Sequence, residues 1–343
     1  MTTPTIDDVA ALAGVARSSV SRALNNHPNV RPELRQRVMR AVEMLGYRVN
    51  IQARSLAGGK MPRFALIHAV SLDAEPNSYF QSALELGAAR ASSKAGCQLI
   101  THAVNQQDEH ASEIVVQLVR DDQCDGVILT PPYADDPHLL EALAGLDCKI
   151  ACISPGPVTQ NLAGNIGIDD FQGGYDLGAH LLAAGHRQFG FINGLAGHAA
   201  AERRFEGFLA ALEQAGLGPA NVVQERGNFT FRSGIDCTRR LLDRPITALV
   251  CANDDMAAGA LLAAHQAGRR IPEELAVTGF DDTPVSEIVW PPLTTIHQPL
   301  REMGERALER LLEMIGSGSN GGVPIRETLP HRLVIRESTV AAV

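Results

Sequence analysis

Apolar positions recur at helical spacing at the start of the chain: Ile6, Val9, Ala10 and Ala13 follow Thr5, and Gly14 stands where such a helix would stop. A second helix is predicted over 17–24, where Val20, Ala23 and Leu24 form a narrow apolar stripe. The other face of that helix carries Arg17, Ser18, Ser21 and Arg22 and no acid. A third helix opens at Pro32, a residue suited to a first helical position, runs through Val38, Ala41, Val42 and Leu45, and ends at Gly46. Two helices joined by a glycine turn, with a third closing a small core, describe a helix-turn-helix unit. After a linker-like stretch at 57–62 the pattern changes. Continuous apolar runs at 64–69, 126–130, 150–153, 189–193, 248–253 and 275–280 alternate with alanine- and leucine-rich helical stretches. That alternation predicts parallel sheets covered by helices through right-handed crossovers, with enough strands for two subdomains.

Composition bounds the rest. With 343 residues, 45% hydrophobic and 4% aromatic, the chain has material for more than one core. The net charge of −9 hides an asymmetry: residues 1–60 hold nine Lys or Arg against four Asp or Glu, a balance of +5, and the remainder stands at −14. A basic head on an acidic body suits a protein that meets phosphates at one end. Arg31, Arg35, Arg37 and Arg40 alone would equally well be a solvated helix face. Combined with the glycine turn and the Arg17/Ser18/Arg22 face, they favour DNA. No apolar stretch approaches the roughly 20 residues that cross a bilayer, and the N-terminus lacks a signal-peptide core, so a cytoplasmic, nucleoid-associated protein without membrane contact is expected. Cys97, Cys124, Cys148, Cys152, Cys237 and Cys251 show no Cys-x-x-Cys pairing and sit mostly in apolar runs, which predicts reduced core residues with no metal site and no cofactor.

The chain resembles bacterial LacI/GalR-family transcription regulators over essentially its full length. The matching residues are Thr5-Ile6-Asp7-Asp8-Val9-Ala10, Ala13-Gly14-Val15, Val20-Ser21-Arg22 with Leu24-Asn25, Leu45-Gly46-Tyr47, and then Asn50, Ala53, Arg54, Ser55, Leu56 and Gly58. The resemblance implies an α/β fold: an N-terminal helix-turn-helix DNA-binding domain at 1–49, a hinge helix and linker at 50–61, and a periplasmic-binding-protein-like core of two parallel-sheet α/β subdomains at 62–343. The first subdomain would comprise 62–163 and 295–329, the second 164–294 and 330–343, with the chain crossing between them three times. It also implies that the second helix enters the major groove. Thr5, Arg17, Ser18, Ser21, Arg22 and Asn25 are then DNA-binding candidates, and an arginine can grip guanine with two parallel hydrogen bonds. Asn50, Ala53, Arg54 and Leu56 would belong to a hinge that folds on DNA and wedges Leu56 into the minor groove, where an ordinary buried leucine is the plainer alternative. The chain departs from the family at Ala16, where a serine usually caps the second helix; losing such a cap typically costs about 1 kcal/mol.

In open parallel sheets ligands sit beyond the carboxyl ends of the strands, and polar residues stand there. Arg204, within Arg204-Phe205-Glu206-Gly207-Phe208, together with Asn253 and Asp281, matches the family's effector-binding patterns. Their chemistry suits a sugar: a carboxylate accepts from hydroxyls, arginine donates, and asparagine does both. Phe229 would supply an aromatic wall. Tyr79, Phe80, Thr130, Ser154 and His198 are weaker candidates, placed near the cleft by distance from matched motifs, and ordinary packing explains each equally well. Asp254 and Asp282 read as structural. No nucleophile or metal-spaced cluster accompanies these acids, and the Gly190, Gly194, Gly197 spacing is wrong for dinucleotide binding, so an enzyme is not expected.

Three functions fit. The first is an allosteric repressor, a homodimer on double-stranded palindromic operator DNA that responds to a small carbohydrate effector. The second is a corepressor-dependent regulator in which effector or partner protein strengthens DNA binding. The third is a carbohydrate-binding protein without a DNA role. The chain ends soon after Thr339, leaving no room for leucine heptads, which favours a dimer over a tetramer.

Overall fold

A computed structural model describes residues 4–24, 30–45, 61–70, 78–317 and 326–339. The head begins with α1 (Ile6–Ala13), which Thr5 caps by accepting from the Asp8 amide while the Asp8 carboxylate accepts from the Thr5 amide. Gly14 closes it at φ 61°, the left-handed conformation that glycine adopts without strain, and turns the chain into α2 (Arg17–Leu24). Val9 and Ala13 meet Val20 and Ala23 of α2 and Val38 and Ala41 of α3 (Pro32–Leu45) in one small core, as the apolar stripes require.

The first lobe of the body is built from β1 (Arg63–Val70), α4 (Ser78–Ala95), β2 (Gln98–Asn105), α5 (Ala111–Asp121), β3 (Gly126–Leu129), α6 (Pro137–Ala144), β4 (Lys149–Ile153) and β5 (Gly164–Gly167). Two later elements, α12 (Leu300–Ser317) and β11 (Arg326–Thr328), complete it. Its six strands run parallel in the order β11-β5-β4-β3-β1-β2. Strand alternation divides the apolar residues between two layers. Ala65, Ile67, Val127, Leu129 and Cys152 pack on α5 and α6 through Val115, Val119, Leu139 and Leu143. Phe64, Leu66, Ile128, Ala151 and Ile153 pack on α4 and α12 through Leu84, Ala88, Met303, Leu308 and Leu311.

The second lobe contains α7 (Asp170–Ala183), β6 (Phe189–Asn193), α8 (Ala199–Gln214), β7 (Val222–Arg226), α9 (Phe231–Leu241), β8 (Ala248–Cys251), α10 (Asp254–Gln266), β9 (Ala276–Thr278) and α11 (Val285–Ile288). Its parallel sheet has the order β7-β6-β8-β9, with α7 and α8 on one face and α9 and α10 on the other. Beside it β10 (Thr295–His297) pairs antiparallel with β12 (Arg332–Val334). All six predicted apolar runs are strands. The crossings differ from expectation by a few residues: β5 pairs with β4 and β11, so the first lobe extends through Gly167 rather than stopping at 163. Likewise β10 pairs with β12 and bridges Asp281, so the return to the first lobe follows His297 rather than preceding 295.

One packing detail positions the site. A Cβ on Gly174 of α7 would lie 1.9 Å from the Arg204 carbonyl oxygen of α8, and one on Gly207 would lie 1.8 Å from the Phe171 carbonyl oxygen. The two helices therefore cross with their backbones in contact, which only reciprocal glycines allow. The crossing brings Asp170, at the start of α7, against the side chain of Arg204.

Candidate functional site

The strands of both lobes aim their carboxyl ends at one cleft of about 150 Å³. Ala69 and Val70 come from the end of β1, Gln106 and Gln107 follow β2, Thr130 and Pro131 follow β3, and Ser154 follows β4. From the other lobe Leu195 follows β6, Asn228, Phe229 and Thr230 follow β7, Asn253 follows β8 and Asp281 follows β9. Phe80 and Gln81 of α4, and His198, Ala200 and Arg204 at the start of α8, complete the lining.

Arg204 is 5% exposed and engaged on several sides. Its Nε donates to Asp170 Oδ1 at 2.8 Å, its Nη1 donates to the Ala252 carbonyl at 2.7 Å and lies 3.8 Å from Asp281 Oδ1, and its guanidinium stacks on Phe280 at 3.7 Å. Asp281 adopts φ 115°, a strained conformation held by flanking backbone hydrogen bonds to Ile296 and Gln298. Its Oδ1 accepts from the Gln298 side chain at 2.6 Å. Burial pushes the Asp281 carboxyl up to about 7, against the opposing pull of Arg204 and the Gln298 hydrogen bond. Asn253 caps α10 by accepting from the Met256 amide and donates to the Phe229 carbonyl. That bond holds Phe229 at φ 65°, with its ring over Gly194, where a Cβ would lie 2.0 Å from the ring.

His198 caps α8 through Nδ1 and tilts against Phe229 with ring centroids 4.7 Å apart. Burial first and the Arg204 charge second lower its pKa to about 3, so the imidazole is neutral. Thr130 donates to the Ile67 carbonyl, and the buried Ser154 Oγ has no hydrogen-bond partner. An unpartnered hydroxyl beside a cleft is a group that a ligand can satisfy. Tyr79 is the exception among the candidates: it does not line the cleft, and from the first turn of α4 it packs, as Phe80 also does, against the cluster around Phe64 and Leu84. Asp254 is saturated by Thr283 and Thr295, and Asp282 by Arg336 and His297, so both brace the structure. At the rim Asp135 joins the lobes, accepting from the Gly156 amide at 2.6 Å and from the Ala199 amide at 3.4 Å.

The sequence reading missed Gln81, Gln106, Gln107, Asn228 and Thr230. Gln106 and Gln107 follow β2, an edge strand whose mixed exposure left no continuous apolar run to mark its end. Asn228 and Thr230 flank Phe229 and could have been found from it.

In the head, Arg17, Ser18 and Arg22 are exposed on one side of α2 and Ser21 is half-buried. The nearest acid is Asp7 of α1, 3.7 Å from Arg17. The Thr5 hydroxyl is engaged with Asp8, so its part in DNA contact would be to hold the start of α1. Asn25, Asn50, Ala53, Arg54 and Leu56 lie outside the described residues.

Comparison with known proteins agrees with this division of labour. Residues 5–50 match the model of the bacterial regulatory proteins, lacI family, and residues 179–339 match a periplasmic binding protein-like domain. The HTH-type transcriptional regulator CelR of Thermobifida fusca is 34% identical over 342 residues, covering 98% of each chain. The HTH-type transcriptional repressor PurR of Mannheimia succiniciproducens is 32% identical, covering 97% of this chain and 98% of that one. Among solved structures, a CelR–cellobiose complex superimposes with a TM-score of 0.72 at 32% identity, covering 98% of this chain and 99% of that one. A lac repressor dimer bound to operator and the anti-inducer ONPF superimposes with a TM-score of 0.73 at 27% identity, covering 99% and 100%.

Proposed function

The chain belongs to the lacI family of bacterial regulatory proteins, and from that membership we propose that it is a DNA-binding repressor whose grip on a palindromic operator changes when a small carbohydrate enters the cleft. The observation that carries the effector half is the cleft itself: Phe80 and Phe229 offer apolar walls from the two lobes, while Arg204, Asn253 and Asp281 converge from the ends of separate elements. Paired apolar and hydrogen-bonding surfaces are what a pyranose or furanose presents in return. The acids serve as acceptors for hydroxyls rather than as catalysts, since Asp254, the neighbour of Asn253, is spent on Thr283 and Thr295.

The DNA half rests on the exposed Arg17, Ser18 and Arg22 face of α2 and on the basic head. Two chains pairing through their bodies present two such helices to half-sites about one helical turn apart, in the cytoplasm where the DNA is. Gel-shift titration with the DNA upstream of the gene tests this reading. A sequence-specific shift at physiological salt is expected, released by a neutral sugar and unreleased in Asp281→Ala. Tightening of the complex by sugar would instead place the protein among corepressor-dependent regulators, and no specific shift would remove the DNA role.

A further inference from the structure

We infer that Asp170, which stands behind Arg204 and does not line the cleft, sets ligand selectivity: it neutralises Arg204, so the site takes uncharged polyhydroxyl ligands and turns away sugar phosphates and uronates. This rests on the carbohydrate reading above and deepens it by naming the class.

Among the described residues that line the cleft, Arg204 alone is a Lys or Arg. It faces Asp170 at 2.8 Å and Asp281 at 3.8 Å, and all three side chains are under a tenth exposed. Burial pulls the Asp170 carboxyl up, and the Arg204 guanidinium donating to it at 2.8 Å pulls it back toward the ionised form. With Asp170 ionised the trio sums to zero when Asp281 is protonated and to −1 when it is ionised, and in neither state is a positive charge left for an anion. His198 adds none, being neutral far below physiological pH. A carboxylate or phosphate entering here would lose its hydration and meet Asp281 directly, with the Asp170 charge held just behind Arg204, in surroundings where repulsion is poorly screened. Neutral hydroxyls escape both costs and find acceptors and donors already placed.

Arg204 would be an anion anchor without Asp170, and Asp170 reaches it only because Gly174 and Gly207 let α7 and α8 touch. The matched substitution is Asp170→Asn, which keeps an oxygen for the Arg204 Nε and removes only the charge. Calorimetric titration of wild type and Asp170→Asn would use cellobiose, glucose and ribose against glucuronate, glucose 6-phosphate and ribose 5-phosphate. The wild type should bind a neutral member at least about tenfold tighter than its charged counterpart, and Asp170→Asn should narrow that ratio by about tenfold or more. The gained anion affinity should weaken with added salt, a response that a purely structural role for Asp170 would not produce. Wild-type binding of a charged member as tight as its neutral counterpart overturns the inference, even if the variant does not fold. An unchanged ratio in a folded Asp170→Asn overturns the role of Asp170 and leaves the carbohydrate reading standing. Binding of no member of either set overturns the carbohydrate reading, and this inference with it.

Discussion

Asp281 shows how one residue ties sequence, strain and ligand chemistry together. It ends a strand run, so its place at the cleft was legible; its left-handed backbone and its contact with Gln298 were not, because both depend on β10 and the residue that follows it. The carboxylate can only accept hydrogen bonds, and sugar hydroxyls donate them, so ligand favours the ionised form. With the free group titrating at about 7, sugar affinity should be full above pH 7 and fall as pH drops through it. Titration of Asp281→Asn over the same range should be flat, and a wild type equally flat would remove Asp281 from the ligand contacts. In the head, Arg22 is exposed on the outer face of α2. Arg22→Ala should cost about 1–3 kcal/mol of operator binding and relax specificity at one base position, measured by competition among single-base operator variants. A loss uniform across sequences would make Arg22 a phosphate contact.

At the scale of elements, the periodic head helices and the continuous apolar runs were readable, and strands without such a run were not. The three head helices and six apolar strands follow from spacing alone. Strands β2 and β7 mix exposed and half-buried positions, and β5, β10, β11 and β12 are interrupted by glycine or polar residues, so none forms the continuous apolar run that marks the equally short β3, β8 and β9; the pairing of the last four is decided by the crossings between lobes. Tyr79 illustrates a related limit within a helix, since both it and Phe80 pack on the cluster around Leu84 while Phe80 alone of the two also reaches the cleft. The α7–α8 crossing was invisible in the sequence because Gly174 and Gly207 acquire meaning only when they meet. Gly174→Ala forces a methyl onto the Arg204 carbonyl, a backbone atom that cannot swing aside. It should destabilise the body by about 1–3 kcal/mol or more in urea unfolding and weaken sugar binding together with it. Unchanged stability would mean that the helices separate freely, and Asp170 would then lose its fixed hold on Arg204.

At the scale of the molecule, a basic head and a two-lobed body share one chain, and three crossings join the lobes. On the proposed reading, a ligand gripping Arg204, Asn253 and Asp281 on one side and Phe80, Thr130 and Ser154 on the other would fix the angle between the lobes, which Asp135 already ties through the Gly156 and Ala199 amides. In a dimer that angle sets the spacing of the two heads. Linkage then requires reciprocity: whatever factor sugar imposes on operator affinity, operator must impose on sugar affinity. The most direct test is to titrate neutral sugar into the free protein and into the protein saturated with operator. We predict that the two dissociation constants differ by about 5- to 150-fold, the weaker binding belonging to the operator complex, matching the loss of operator affinity caused by sugar. Equal constants with and without operator would contradict the account, because cleft and head would then be two sites with no energy passing between them.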